Sequence, residues 1–200
     1  MIVLDPPAHL RPVPEADPEA EARRALAAGD REAVLSILMA AYGTVLYRFC
    51  RQLVADPDLA QDVHQTTFLQ AFESLTGFGG RSSFRTWLFG IARHRCLDAL
   101  KGARRRERRI TFLGELPEPP EPGPPADAGL SRLDRRTVLR RCLEELVPRV
   151  RAALLLRFQG DFSYQEMARI SRERAPTLQA RVARALPVLR RCLEAQGFAP

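Results

Sequence analysis

Trp87, the single tryptophan of the 200-residue chain, stands in a segment whose side chains suit a polyanion better than a covalent reaction. The stretch SSFRTWLFGIARHRCLDALKGARRRERR places apolar residues at Phe84, Trp87, Leu88, Ile91 and Ala92. That is the spacing of an amphipathic helix, with Ser82 or Ser83 as its N-cap. Thr86, Gly90, Arg93, His94 and Lys101 fall toward the opposite side, and the helix then runs into Arg104, Arg105, Arg106, Arg108 and Arg109. Trp87 lies at the border of the two faces, where a ring packs by one edge and offers the other to a partner. The residues alone leave open whether Trp87 is only an inward anchor and the arginines only a solvated run.

Other chemistries find little support. His64 and His94 have no metal-ligand spacing, and no cluster of carboxylates or histidines would serve a metal-dependent hydrolase, so neither a catalytic centre nor a cofactor is expected. Cys50, Cys96, Cys142 and Cys192 lie far apart, without a CxxC, inside apolar-periodic segments. They are expected to be buried reduced thiols. No stretch reaches the roughly 18 unbroken apolar residues of a membrane span. The start MIVLDPPAHLRPVP lacks the basic and apolar regions of a signal peptide. A cytoplasmic location without membrane insertion is the expectation.

The net charge of +7 is unevenly spread. Residues 1–80 carry 6 basic and 11 acidic side chains, 81–109 carry 10 and 2, 110–130 carry 0 and 4, and 131–200 carry 15 and 7. Two basic blocks around an acidic spacer suggest two contacts with a polyanion, and the acidic front suggests a different, basic protein partner. Every basic residue except Lys101 is arginine, which offers a planar fork to phosphates and guanine edges, although a GC-rich genome produces the same bias.

The elements that must hold these side chains are all helical. Asp17-Pro18 and Asp56-Pro57 read as N-caps followed by proline, opening helices over 18–28 and 57–75, with a long helix over 30–54 between them. Gly77, Gly79 and Gly80 break the chain before the tryptophan helix. Residues 112–129 hold six prolines and three glycines and read as an extended linker. Helices follow over 131–146 and 148–159, then a capping box from Ser163 to Glu166, a short helix over 163–170, a turn at 171–175 and a long basic helix over 176–195. The last three have the proportions of a helix-turn-helix, or of a plain antiparallel pair with solvated arginines. The organisation expected is a disordered tail (1–17), a first domain (18–110), a proline-rich linker (111–130) and a second domain (131–200).

The stretch DPDLAQDVHQTTFLQAFESLTGFGGRSSFRTWLFGIARHRCLDALKGARRR resembles region two of bacterial extracytoplasmic-function sigma factors, and LEELVPRVRAALLLRFQGDFSYQEMARI followed by TLQARVARAL resembles their region four. The likeness covers roughly 30–110 and 135–195. It implies that Asp62 and Gln65 face the beta-prime clamp helices of core RNA polymerase and that the second domain meets the beta flap. It implies also that Phe78, Arg81 and Ser83 lie in or at the edge of a loop that captures minus-ten bases. Arg85, Trp87, Arg93, His94 and Lys101 fall on the DNA-contacting helix, and an anti-sigma factor is the expected regulator. Single-stranded bases need an aromatic platform and a cationic track, each stacked base contributing roughly 1–3 kcal/mol. That requirement accounts for tryptophan and arginine sharing one helix.

In region four the sequence departs from the family pattern: Arg172 and Glu173 stand where glycine and an apolar residue are usual, Gln179 where lysine is common, and Pro187 inside the recognition helix, which it is expected to kink or end. In region two, Gln61 and His94 replace a common glutamate and asparagine. Thr177, Gln179, Arg181 and Arg184 remain as helix-turn-helix contacts. The chain thus reads as a non-enzymatic sigma factor that recognises and melts promoters. The alternative is a sigma-like regulator that docks on polymerase or an anti-sigma factor without reading the upstream promoter element.

Overall fold

A computed structural model describes residues 17–112 and 132–198, with side chains over 17–106 and 135–198. The tail over 1–16 and the linker over 113–131 lie outside the described residues. The described residues form eight α-helices: α1 (Pro18–Ala27), α2 (Arg31–Val54), α3 (Pro57–Ser74), α4 (Phe84–Phe112), α5 (Arg132–Glu144), α6 (Pro148–Leu154), α7 (Tyr164–Ser171) and α8 (Ala175–Ala195). A 3-10 turn follows α3, and a π turn, Leu155–Gln159, follows α6. No strand occurs among the described residues, so the all-helical class expected from the sequence holds.

The helix starts follow from local chemistry. The carboxylates of Asp17, Asp30 and Asp56 accept the backbone N–H groups of Glu19, Ala33 and Leu59 at 3.1, 2.9 and 2.9 Å. Ser163 and Glu166 form the expected capping box. The end of α2 is set by Ala55 in the left-handed region (φ 65°). By length and composition α2 could cross a membrane. Its apolar stripe, with Leu38, Leu46, Phe49 and Leu53 fully buried or nearly so, faces α1, α3 and α4.

Two expectations are corrected. Cys142 and Cys192 are not free thiols: they form a disulfide, their Cα atoms 5.7 Å apart, because α5 packs on α8 and closes a 50-residue separation that hides the pairing in the sequence. Cys50 and Cys96 are buried and free, as expected. The second correction concerns Pro187, which does not end α8; the helix continues to Ala195. Pro187 and Ala183 are both exposed, so the carbonyl that loses its intrahelical partner faces water.

The two halves share one hydrophobic cluster. Phe89 of α4 meets Phe162 edge-on at 4.9 Å, and the Arg85 guanidinium lies 4.2 Å above the Phe162 ring while donating to the Gly160 carbonyl. Gly160 is required there, since a Cβ would come within 2.7 Å of the Phe162 ring. Arg151, only 6% exposed, donates to the carbonyls of Leu143 and Glu144 at the end of α5 (2.8 and 2.6 Å), of Leu146 just beyond it (3.3 Å) and of Leu53 near the end of α2 (2.8 Å). Burial lowers its pKa against the opposing pull of Glu144. This arginine ties carbonyls at two helix ends together.

Candidate nucleic-acid and polymerase interfaces

The head of α4 is built by a carboxylate from another element. Glu19 of α1 accepts the backbone N–H groups of Phe84 and Arg85, both at 2.9 Å, and the Tyr42 hydroxyl at 3.1 Å. Burial, with the Glu19 charge and hydrogen bond, pushes the Tyr42 hydroxyl pKa well up. Ser83 is the N-cap, its hydroxyl accepting from the Thr86 N–H at 3.0 Å. Sequence reasoning missed Glu19, since nothing local links positions 65 residues apart.

An aromatic cluster sits on this capped end. Phe78 stacks on Phe84 at 4.2 Å with 17° between the rings and lies 5.1 Å from Trp87, which lies 6.3 Å from Phe84. Phe84 is fully buried, whereas Phe78 and Trp87 are half-buried. Trp87 therefore occupies the border assigned to it, with one part on the core and another on a cleft of about 360 Å³ lined also by Gly90, Ile91, Arg93, Arg169 and Arg172. Arg81 is exposed in the loop before α4.

The remaining described basic side chains of α4 are of two kinds, open to solvent or turned into the contact between the halves. His94 and Lys101 are open to solvent and share the Asp98 carboxylate, at 3.1 and 3.0 Å. The Lys101 hydrogen bond leads the effects that hold the Asp98 carboxyl below the usual carboxylate range. Arg104, Arg105 and Arg106 are exposed; Arg108 and Arg109 lie outside the described side chains. Arg85 and Arg93 instead point into the contact between the halves. Arg93 Nη2 lies 3.3 Å from Glu173, with its side chain 11% exposed.

In the second half, α7, a turn and α8 form the expected helix-turn-helix. Arg172 takes the left-handed conformation (φ 54°) where a glycine would be unstrained, and the Glu173 N–H donates back to the Ala168 carbonyl at 3.2 Å. Leu178, Val182 and Ala185 are buried, which leaves Thr177, Gln179 and Arg184 exposed on the outer face of α8. Arg181 is engaged instead, its two terminal nitrogens donating to the two Glu173 oxygens at 3.0 and 2.5 Å. On α3, Asp62 and Gln65 are exposed and share a face with Leu69, which is 63% exposed. Leu69 was also missed, although its spacing from Asp62 signals it. Among the described residues no group of three or more His, Cys, Asp or Glu could hold a metal.

Comparison with known proteins matches these two regions. The family described as Sigma-70 region 2 matches residues 38–106, and that described as Sigma-70, region 4 matches 136–186. The ECF RNA polymerase sigma factor SigC of Mycobacterium tuberculosis is 35% identical over 175 residues, covering 86% of this chain and 91% of the relative. SigG of the same species is 34% identical over 136 residues, which is 58% of this chain but only 37% of that longer relative. Among solved structures, the sigma factor RpoE in complex with the anti-sigma factor NepR from Bartonella quintana is similar, with a TM-score of 0.61 and 26% identity over 78% of this chain and 94% of the other.

Proposed function

The chain belongs to the extracytoplasmic-function (ECF) RNA polymerase sigma factors, and we propose that it binds core RNA polymerase, recognises promoter DNA and promotes its melting. The Phe78–Phe84–Trp87 cluster at the head of a basic helix carries this reading. It offers a partly open aromatic surface beside cations, the combination that unstacked bases require. Flipping a base costs a few kcal/mol, and a platform that recovers this by stacking turns melting into sequence recognition.

In this reading residues 18–110 form the domain for polymerase and minus-ten DNA, 111–130 the linker and 131–200 the domain for the upstream element. Asp62, Gln65 and Leu69 face the beta-prime clamp helices, and the second domain meets the beta flap. Phe78, Arg81, Trp87, His94 and Lys101 meet the melted strand, while Thr177, Gln179 and Arg184 meet duplex. Ser83 holds the helix start. An anti-sigma factor is the proposed regulator, supported by the RpoE likeness. The protein acts in the cytoplasm without a catalytic centre or cofactor of its own.

Run-off transcription with purified core polymerase, followed by mapping of the start sites, tests this. Initiation from a narrow promoter set, each with a shared upstream and minus-ten element, is expected. Start sites that share only the minus-ten element would favour the second reading, a regulator whose helix-turn-helix does not read DNA. That reading draws on the engagement of Arg181 by Glu173.

A further inference from the structure

Glu173, one of the two residues that break the family pattern in the turn, is the centre of a charge cluster that joins the halves. Its carboxylate binds Arg181 of α8 through both oxygens and Arg93 of α4 through one. The positive charge of Arg149, at the start of α6, also acts on it. Two arginines from two helices thus bind one acid, within the field of a third. The side chains of Arg93, Arg181 and Glu173 are only 11%, 19% and 24% exposed, so water screens the cluster incompletely.

We propose that Glu173 stands in for DNA phosphate in the free chain, its carboxylate occupying Arg93 and Arg181, and that promoter DNA phosphates take over the two arginines, one on each half, when the halves part. A carboxylate and a phosphate present the same paired oxygens to a guanidinium fork, and the same N–H groups cannot serve both at once. Arg93 lies on the helix that carries the melted-strand platform, and Arg181 lies on the recognition helix. One side chain therefore withholds a cation from each DNA-binding surface. The inference rests on the sigma-factor reading and adds a latch to it.

The latch acts within a wider contact between the halves. The apolar part of the contact includes Phe89 against Phe162 and the α4 backbone at Gly90 close to Ile170, where an added Cβ would meet the Ile170 backbone at 3.9 Å, and α2 also packs on α5, α6 and the π turn. Arg93 is also incompletely compensated, since burial lowers its pKa more than Glu173 raises it. A polyanion offering several phosphates can displace a single carboxylate from such a site. Closure then lowers the apparent DNA affinity of the free chain by the fraction that is open.

The test uses the full chain without polymerase, a short mixed-sequence DNA duplex as probe, and small-angle scattering for compactness. Glu173→Gln keeps the shape and removes the charge; it should expand the chain and tighten duplex binding by roughly 5- to 10-fold. Arg93→Gln breaks the cluster from the first half and should expand the chain without that gain. Glu194→Gln, which removes an acid paired with Arg190 elsewhere on α8, controls for net charge and should do neither. The latch is overturned if Glu173→Gln and Arg93→Gln both keep the wild-type dimensions, or if Glu194→Gln tightens DNA binding as much as Glu173→Gln. Because compactness is read without transcription, these results stand apart from any failure of the wild-type chain to direct initiation.

Discussion

Glu19 and Phe84, 65 residues apart in sequence, are joined by a 2.9 Å hydrogen bond from the Phe84 N–H to the Glu19 carboxylate, and the start of the tryptophan helix depends on that bond. The neighbouring Arg85 N–H reaches the same carboxylate. Charge-assisted bonds to free helix-end N–H groups contribute about 2 kcal/mol together. Glu19→Ala should lower stability by that order and move Phe84, and with it Phe78 and Trp87. Trp87 is the sole tryptophan, so its emission reports the site directly. A shifted emission in the folded variant is expected, with recovery in Glu19→Gln, which keeps one acceptor oxygen. Unchanged emission would separate Glu19 from the platform.

Acid should open the halves. The Arg181 hydrogen bond leads the effects that hold the Glu173 carboxyl below its ordinary value of 4.5, joined by the charges of Arg181 on α8, Arg93 on α4 and Arg149 on α6. Because the pKa is lowered in the closed form, the contribution of Glu173 to closure is fully present above the ordinary value. It disappears as pH falls through the lowered one. Scattering profiles of wild type and Glu173→Gln should differ near neutrality and converge in acid. A difference that stays constant across this range would remove Glu173 ionisation from the closure.

The outward face of α3 supplies a separate test. Asp62, Gln65 and Leu69 are exposed, so substitutions there leave the core intact. Leu69→Arg and Asp62→Arg should each weaken binding to core polymerase by roughly tenfold while far-ultraviolet circular dichroism stays unchanged. Wild-type affinity in both variants would place the polymerase contact elsewhere.

The Cys142–Cys192 disulfide makes a counting prediction. Under denaturing, non-reducing conditions two thiols, those of Cys50 and Cys96, should react, and all four after reduction. Closing a loop of this length contributes up to about 4 kcal/mol by chain entropy. The second half should therefore melt earlier when reduced. Four reactive thiols without reductant would contradict the pairing.

Much of this architecture is legible in local sequence because local chemistry dictates it. Aspartate before proline opened two helices where expected, the Ser163–Glu166 capping box was correctly placed, and the periodicity around Trp87 located its border position. What escaped depends on tertiary proximity. Glu19 capping Phe84, Glu173 joining Arg93 to Arg181, Arg151 gathering carbonyls and Cys142 meeting Cys192 each link positions that no window of sequence holds together. Arg85, Arg93 and Arg181 were expected to contact DNA, and the acceptors they meet within the chain, the Gly160 carbonyl for Arg85 and Glu173 for the other two, were hidden for the same reason. Charge was visible in the sequence, but its partners were not.

Promoter melting by the aromatic platform is tested most directly by comparing Trp87→Ala with wild type, in complex with core polymerase, on an intact duplex promoter and on the same promoter carrying a pre-melted bubble. Loss of one stacking surface should slow open-complex formation on the duplex by roughly tenfold or more, with most of the activity restored on the bubble. A Trp87→Ala protein that folds normally and is equally defective on both templates, or defective on neither, would contradict a melting role for Trp87.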